Sequence, residues 1–235
     1  MVGDWPPGSL LGTLPDAARD RLLQRGILVR YPGPIRVLFR EGDRSGFVVL
    51  ILRGVVKVTA SVPGGGPDAL LAIRMGGDAV GEFAAVDQLP RSATVTTCGT
   101  VVGRLIKSED FVDCIRRDPD ISHAVSRAIA AKMRVATARR VDFSGTSVAT
   151  RVARILLQLA EAYGDKDGNQ AVLRSPLTQP EVASLAAASQ PAVHRVLRDL
   201  RERGILSTGY RSIAVTDLDR LRASAYGDPA AGDKA

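Results

Sequence analysis

The stretch Thr178-Gln179-Pro180-Glu181-Val182-Ala183 is followed, one short turn later, by Ser189-Gln190-Pro191-Ala192-Val193-His194-Arg195. Thr178 and Glu181 have the spacing of a capping box, in which a hydroxyl and a carboxylate each bond a free backbone amide. Ser189 is a second N-cap candidate. Both prolines fall in a first helical turn, where their missing N–H has no intrahelical acceptor to lose. The stretch therefore predicts two consecutive helices.

Each of these helices has one apolar face. The faces consist of Val182, Leu185 and Ala186 in the first helix and of Val193, Val196, Leu197 and Leu200 in the second. The second helix also carries arginines, at positions 195, 198, 201 and 203. Two short amphipathic helices with a basic second member are typical of a helix-turn-helix that reads DNA. A plain helical hairpin with solvated arginines is the alternative, and the doubled capping favours DNA binding.

The DNA contacts are predicted from this motif and from a β-hairpin, or wing, formed by residues 204–207 and 212–215. Candidate DNA-binding residues are Thr178, Ser189, Gln190, Pro191, His194, Arg195, Arg198 and, in the wing, Arg211. Arg195 suits a bidentate contact to a guanine edge, whereas Arg211 suits a phosphate.

Composition limits the other possibilities. The chain has 235 residues, enough for two small domains or one large one, and a formal net charge of +7. That charge fits a polyanionic partner, although basicity alone does not separate nucleic acid from a membrane surface. No apolar run approaches the roughly 18 residues of a transmembrane helix, and the first residues lack a signal-peptide pattern. We expect a cytoplasmic protein with no membrane partner.

Metal and catalytic sites are not indicated. The two cysteines, Cys98 and Cys114, stand apart from any ligand motif and are expected to be small buried hydrophobes. The two histidines, His123 and His194, fall on separate predicted helices. We find no Ser/His/Asp or Cys/His pattern and expect no enzymatic activity, no metal and no tightly bound cofactor.

The first half of the chain is rich in short β-type runs. A helical lead-in is predicted over residues 10–27, and from about residue 28 to 106 glycine-containing turns separate the apolar runs. Predicted strands cover 37–39, 47–52, 55–58, 70–73, 93–97 and 101–106. Many short strands with glycine turns predict an antiparallel barrel or jelly roll.

A long helix is predicted from about Asp120 to 143, and two apolar stripes can be drawn on it. One stripe has heptad spacing and consists of Ile121, Ala124, Ala128, Ala131, Val135 and Ala138. The other consists of Val125, Ile129, Met133 and Ala136. One barrel covers only one side, so the second stripe predicts a homodimer. Internal core on both sides is the alternative.

A hinge is predicted at residues 144–147, followed by a helix over 148–163, a polar loop over 164–170 and the two DNA helices. The predicted domains are 1–118, a barrel; 119–145, the dimerisation helix and hinge; 146–225, the winged helix-turn-helix; and 226–235, a disordered tail. The fold class is α+β.

Barrel, long helix, hinge and winged helix-turn-helix, in this order, resemble the cyclic-AMP receptor protein/FNR (Crp/Fnr) family of bacterial transcription regulators, over about residues 10–222. Phe39-Arg40-Glu41-Gly42-Asp43 is similar to the family's early turn. Gly81-Glu82-Phe83-Ala84, followed by Pro90-Arg91-Ser92-Ala93-Thr94-Val95, is similar to the phosphate-binding cassette of cyclic-nucleotide-binding domains.

The resemblance implies a cyclic-nucleotide-binding jelly-roll barrel with cyclic AMP as the expected effector. It places ligand contacts on Gly81, Glu82, Phe83, Arg91 and Ser92. The chemistry agrees, because a guanidinium fork binds phosphate oxygens and a carboxylate accepts from a ribose hydroxyl. We expect Arg91→Ala to abolish ligand binding without loss of the fold. An internal Glu82–Arg91 ion pair without ligand is the alternative.

Further positions follow from the resemblance. A base-contacting Thr-Ser pair of the family falls on Ala136 and Thr137, so one hydroxyl is lost. The family's three base-reading side chains fall on Gln190, Pro191 and Arg195, so the operator should differ where Pro191 cannot accept from cytosine. The usual turn glycine is Ala187, which costs roughly 1–2 kcal/mol if it is left-handed.

The expected function is therefore an effector-controlled regulator that binds an operator in double-stranded DNA, with RNA polymerase as a possible partner. Two alternatives stay open at this point. One is a DNA-binding dimer with a vestigial barrel, and the other is a nucleotide-binding regulatory subunit of a partner protein.

Overall fold

The computed structural model describes residues 5–173, 177–209 and 212–227. The chain divides into two compact units, Met1–Arg134 and Val135–Ala235, and each is described by itself. Within the described ranges, no helix is both long and apolar enough to cross a membrane.

The first unit consists of two four-stranded antiparallel sheets and flanking helices. Its elements are α1 (Leu10–Thr13), α2 (Asp16–Leu23), β1 (Ile27–Tyr31), β2 (Val37–Phe39), β3 (Phe47–Arg53), β4 (Val55–Ala60), β5 (Ala69–Met75), β6 (Ala79–Val80), α3 (Glu82–Asp87), β7 (Thr94–Thr97), β8 (Val101–Lys107), α4 (Ser108–Arg117) and the start of α5 (Pro119–Gly145). The strand orders are β1-β8-β3-β6 and β2-β7-β4-β5. The predicted jelly roll is confirmed.

Strand β3 contributes apolar side chains to two separate hydrophobic clusters. Val49 and Ile51 point into the cluster between the sheets, whereas Val48 and Leu50 belong to the cluster formed with the helices. Successive strand residues point to opposite faces, so a strand that is apolar on both faces must be covered on both. The helices α1, α2, α4 and α5 supply that second cover.

The second unit contains the end of α5 and the predicted winged helix-turn-helix. Its further elements are α6 (Val148–Tyr163), β9 (Asp165–Asp167), β10 (Gln170–Leu173), α7 (Gln179–Leu185), α8 (Gln190–Glu202), β11 (Leu206–Gly209), β12 (Ser212–Val215) and α9 (Leu218–Tyr226). The strands form one antiparallel sheet in the order β11-β12-β10-β9. The predicted domain boundaries differ from the division at 134/135 and stay predictions.

The polar loop predicted over residues 164–170 was wrong, because it contains β9 and the turn into β10. All of β9 is exposed and has no apolar alternation. The hairpin forms because Gly168 makes a left-handed turn (φ +57°) and because β10 buries Ala171 and Leu173. Similarly, β1 was missed because Ile27 and Leu28 are both exposed and give no alternating pattern.

The burial of the two apolar stripes of α5 changes along the helix. At its start, Ile121, Ala124 and Val125 are all buried in the first unit's own core, so both stripes are internal there. From Ala131 onward the helix is largely exposed, and Met133 is 68% exposed. The interpretation of two complete stripes was therefore wrong for the first turns, and from Ala131 to Ala138 most positions are left uncovered by the chain itself.

Candidate functional site

The predicted cassette lies between β6 and β7 of the first unit. Gly81 follows β6 with φ +86°, and Glu82 begins α3. A Cβ at Gly81 would collide with the guanidinium of Arg91 and lie 3.0 Å from the carbonyl oxygen of Phe47. Glycine is needed here for its left-handed backbone and for the close approach of Arg91.

Arg91 is 2% exposed, and its guanidinium is held by atoms of its own chain. Its Nε donates to Ser45 Oγ at 3.0 Å, Nη1 to the carbonyl of Gly81 at 2.9 Å and Nη2 to the carbonyl of Phe47 at 2.5 Å. The same group lies 4.1 Å from the ring centroid of Phe39 and 4.9 Å from that of Phe47. Such cation–π contacts strengthen when they are shielded from water.

The early turn that resembles the family's motif docks against Arg91. The amide of Gly42 donates to the carbonyl of Arg91 at 2.8 Å, and the amide of Arg91 donates to the carbonyl of Asp43 at 2.8 Å. Burial lowers the pKa of the Arg91 guanidinium, and the negative charges of Glu82 and Asp43 act in the opposite direction. Two motifs that are distant in sequence therefore form one local structure.

Glu82 is bound by a residue that sequence reasoning missed. Lys132 of α5 donates from Nζ to Glu82 Oε1 at 2.7 Å and to the carbonyl of Ala79 at 2.8 Å. Its Nζ also lies 5.8 Å from the ring centroid of Phe83. The glutamate side chain is 7% exposed and that of Lys132 is 16% exposed. The alternative of a direct Glu82–Arg91 ion pair was therefore wrong. Lysine at this position of a helix gave no distinctive sequence signal.

The remaining predicted ligand residues are exposed. Ser92 and Phe83 flank the buried Glu82 and Arg91 at the surface. Ala136 and Thr137 are exposed residues of α5 and belong to the second unit. Their contact with an effector stays a prediction.

In the second unit, α7 and α8 form the predicted helix-turn-helix. The amide of Thr178 donates to Glu181 Oε2 at 2.8 Å, which supports the predicted capping box. Ser189 occupies the N-cap position of α8, but its side chain makes no capping hydrogen bond. The predicted N-cap position is therefore confirmed without a side-chain bond, and Pro191 stands in the first turn as expected.

Two backbone hydrogen bonds close the turn between the helices. The amide of Ala188 donates to the carbonyl of Ala183 at 3.0 Å, and that of Ala187 to the carbonyl of Ser184 at 3.1 Å. This is the Schellman pattern, which requires a left-handed residue after the helix. Ala187 takes that role with φ +44°, so the turn keeps the left-handed conformation although an alanine stands where glycine is usual.

Helix α8 separates an apolar face from a polar one. Val193, Leu197 and Leu200 are buried against the domain. The opposite face is exposed and presents Gln190, Pro191, His194, Arg195 and Arg198. Arg198 Nε lies 3.7 Å from Glu202 Oε1. Arg195 forms no ion pair with any of the described residues. The structure therefore presents the predicted base-reading side chains together; Arg211 lies outside the described residues.

Among the side chains that the structure describes, no three His, Cys, Asp or Glu residues lie so that they could hold a metal ion. Cys114 is buried, and burial raises the pKa of its thiol. A raised pKa leaves less of the thiolate, which is the nucleophile and the metal ligand, at neutral pH.

Comparisons with known proteins match the two regions of the chain in which these candidate sites lie. A family model described as a cyclic nucleotide-binding domain matches residues 33–118, and one described as a Crp-like helix-turn-helix domain matches residues 150–224. The chain is 32% identical over 184 residues to a CRP-like cAMP-activated global transcriptional regulator of Mycobacterium tuberculosis, covering 78% of this chain and 82% of the relative.

Two further similarities extend across most of the chain. A cyclic AMP receptor protein of Thermus thermophilus is 27% identical over 190 residues, which cover 81% of this chain and 84% of that protein. The solved structure of FixK2 from Bradyrhizobium japonicum matches with a TM-score of 0.70 at 17% identity, covering 83% of this chain and 95% of that one. At that identity the structural match supports the fold alone.

Proposed function

The chain belongs to the Crp/Fnr family of transcription regulators, and from that premise we propose that it is a dimer that binds an operator through α8 and responds to a cyclic nucleotide held by the cassette. The observation that carries the DNA-binding part is the exposed polar face of α8 around Arg195, opposite the buried Val193, Leu197 and Leu200. Such a helix enters the major groove, where an arginine recognises a guanine edge by two hydrogen bonds. The site of action is then chromosomal DNA in the cytoplasm.

The DNA-binding part is tested by selecting bound sequences from random double-stranded DNA and comparing variants on the selected operator. We expect Arg195→Ala to remove the preference at one base pair of each half-site, by about 1–3 kcal/mol. Arg116→Ala, an exposed arginine of α4, is the matched control. An equal loss on selected and random DNA would assign Arg195 to a phosphate contact instead.

The donor groups of the cassette fit a cyclic nucleotide. A guanidinium has five N–H groups, and the bonds of Arg91 to Ser45, Gly81 and Phe47 use three of them. Two remain for a phosphate, and Glu82 retains acceptor capacity for a ribose hydroxyl beside Lys132. Because Arg91 is 2% exposed, the ligand must first displace the atoms that cover it.

The effector part is tested by calorimetric titration of the full chain with cyclic AMP and with cyclic GMP. We expect binding of one of them, together with a rise in operator affinity. No heat and no thermal shift at millimolar ligand, combined with tight operator binding, would support the alternative of a ligand-independent regulator. Absence of DNA binding with ligand binding intact would support a regulatory subunit.

Dimerisation is proposed through the part of α5 that the chain leaves uncovered, which includes Ala131 and Ala138 of the heptad stripe. Two copies would place two α8 helices on successive major grooves, about 34 Å apart. Contact with RNA polymerase would make the protein an activator. Transcription in vitro from a promoter that carries the operator, measured with and without the protein, separates activation from repression. We propose no catalytic role, in keeping with a family of transcription regulators.

A further inference from the structure

The junction between α5 and α6 is short and is held by hydrogen bonds to both helices. Helix α5 ends at Gly145 and α6 begins at Val148, so two residues separate them. The amide of Thr146 donates to the carbonyl of Asp142 at 3.1 Å, and its hydroxyl donates to the same oxygen at 2.9 Å. Ser147 caps α6 by accepting from the amide of Thr150 at 3.1 Å. Each junction residue is thus tied to a helix end, which leaves little freedom to bend.

Arg151 of α6 connects this junction to the turn before α8. Its Nη1 donates to the carbonyl of Thr146 at 2.6 Å, its Nε to that of Ala186 at 2.7 Å and its Nη2 to that of Ala187 at 3.4 Å. Carbonyls at helix C-termini lack intrahelical partners and favour a cation. One rigid guanidinium therefore joins the end of α5 to the end of α7.

Two further contacts hold the last turns of α5 against α6. The buried Asp142 forms an ion pair with Arg154, which also donates to the carbonyl of Ala225 at 2.8 Å and lies 4.9 Å from the ring centroid of Tyr226. Arg139 donates to Gln158 at 3.4 Å. The end of α5 is thus fixed to α6 and α9 at several points, all of them within the second unit.

We propose that Arg151 is the positioning residue that sets the orientation of α8 relative to the last turns of α5. The left-handed Ala187 defines the direction in which α8 leaves α7, and Arg151 holds the carbonyl of that same residue. A reorientation of α5 then moves α7 and α8 with it as one body, and the residues 144–147 act as a rigid elbow rather than as a hinge. This role in signalling rests on the proposed effector control of DNA binding, whereas the rigidity itself does not.

Distance measurements between spin labels test the rigidity without effector or DNA. In the full chain carrying Cys98→Ser and Cys114→Ala, labels are placed at Arg140→Cys in α5 and Glu202→Cys in α8, both at exposed positions. Dilution with unlabelled chain isolates the distances within one protomer. We expect one narrow distance distribution, and at least a twofold broader one after Arg151→Met.

Arg222→Met is the matched control, because Arg222 forms exposed ion pairs with Glu161 and Asp219 and should leave the distribution narrow. Arg151→Lys keeps the charge but lacks the planar guanidinium that reaches three carbonyls, so it should also broaden the distribution. It replaces the methionine variant in the experiment if that variant fails to fold. An unchanged narrow distribution in a folded Arg151 variant would overturn the proposal.

A DNA measurement separates positioning from a purely structural role. Arg151→Lys should weaken binding to a two-half-site operator roughly tenfold, since both α8 helices must be placed at once, while random DNA is bound within about twofold of the wild type. Equal losses on both DNAs would contradict positioning. If the unmodified chain binds no DNA, the proposed function fails and the distance measurement still decides the rigidity.

Discussion

Lys132 of α5 donates a 2.7 Å hydrogen bond to the carboxylate of Glu82, the residue expected to accept from a ribose hydroxyl. The lysine thereby connects the cassette to the long helix within the first unit. An effector that takes a hydrogen bond to Glu82 must share this carboxylate with Lys132 or displace it. This gives a direct route by which ligand binding alters what holds α5.

The Lys132–Glu82 contact predicts a stability effect. We expect Lys132→Met to lower the free energy of unfolding by about 3–5 kcal/mol, because it leaves a buried carboxylate without its partner. Adding Glu82→Gln should restore part of the loss, since a neutral amide costs less to bury. Urea unfolding of the barrel measures both, with Lys107→Met, at an exposed position, as the control. A loss below 1 kcal/mol in Lys132→Met would show that the contact is not formed in solution.

Arg91 predicts a second stability effect, which differs from the sequence-based expectation that its removal spares the fold. Arg91→Ala should destabilise the barrel by about 2–4 kcal/mol, because it leaves a cavity and removes the guanidinium that donates to the carbonyls of Gly81 and Phe47. Thermal unfolding measures this directly. Arg40→Ala, an exposed arginine of the adjacent turn, is the control. Unfolding unchanged in Arg91→Ala would contradict the buried position found here.

This difference shows which parts of the site were readable from sequence. The resemblance to the phosphate-binding cassette identified Glu82 and Arg91, because their spacing and the Arg-Ser-Ala that follows are similar to the family's motif. Their actual partners, Lys132 and the carbonyls of Gly81 and Phe47, are set by packing between elements that are distant along the chain. Helices α5 to α8 were predicted because caps and 3.6-residue periodicity are local signals, whereas α3 was not predicted and the helical lead-in over 10–27 consists of the shorter α1 and α2. Strands β1 and β9 were missed because most of their residues are exposed and give no apolar alternation.

Ala187 predicts a stabilising substitution. The left-handed conformation costs alanine roughly 1–2 kcal/mol, whereas glycine adopts it freely and costs about 0.4–1 kcal/mol through the entropy of the unfolded chain. Ala187→Gly should therefore stabilise the second unit by about 0.5–1 kcal/mol. Thermal unfolding is the measurement, and Ala149→Gly within α6 should destabilise by a similar amount. A destabilised Ala187→Gly would mean that this residue is not left-handed in solution.

Asp217 predicts a pH-dependent contribution from the N-cap of α9. The backbone amide of Arg220 donates to this carboxyl and lowers its pKa. Burial acts in the opposite direction, and a hydrogen bond from the side-chain amide of Asn169 lowers the pKa further. Because the folded pKa is depressed, the stabilisation is present above the unfolded pKa and is lost as the pH falls through the folded one. Asp217→Asn should therefore unfold at a lower temperature than the wild type at pH 7, and the gap should narrow below about pH 4. A gap that does not depend on pH would contradict this role.

The uncovered part of α5 predicts how to separate the dimer into monomers without damage to the core. Ala128 is partly buried against the first unit's own core, so a charge there would disturb the fold as well as an interface. Ala131 and Ala138 continue the same heptad stripe but are exposed in the single chain. Ala131→Glu with Ala138→Glu should therefore give folded monomers, because like charges would face each other across the seam.

Light scattering at micromolar concentration measures the mass of this double variant, and thermal unfolding checks its fold. Ser126→Glu, exposed on the opposite side of the helix, should leave the dimer intact. An unmodified chain that is monomeric under these conditions would remove α5 as the interface and, with it, the proposed spacing of the two α8 helices.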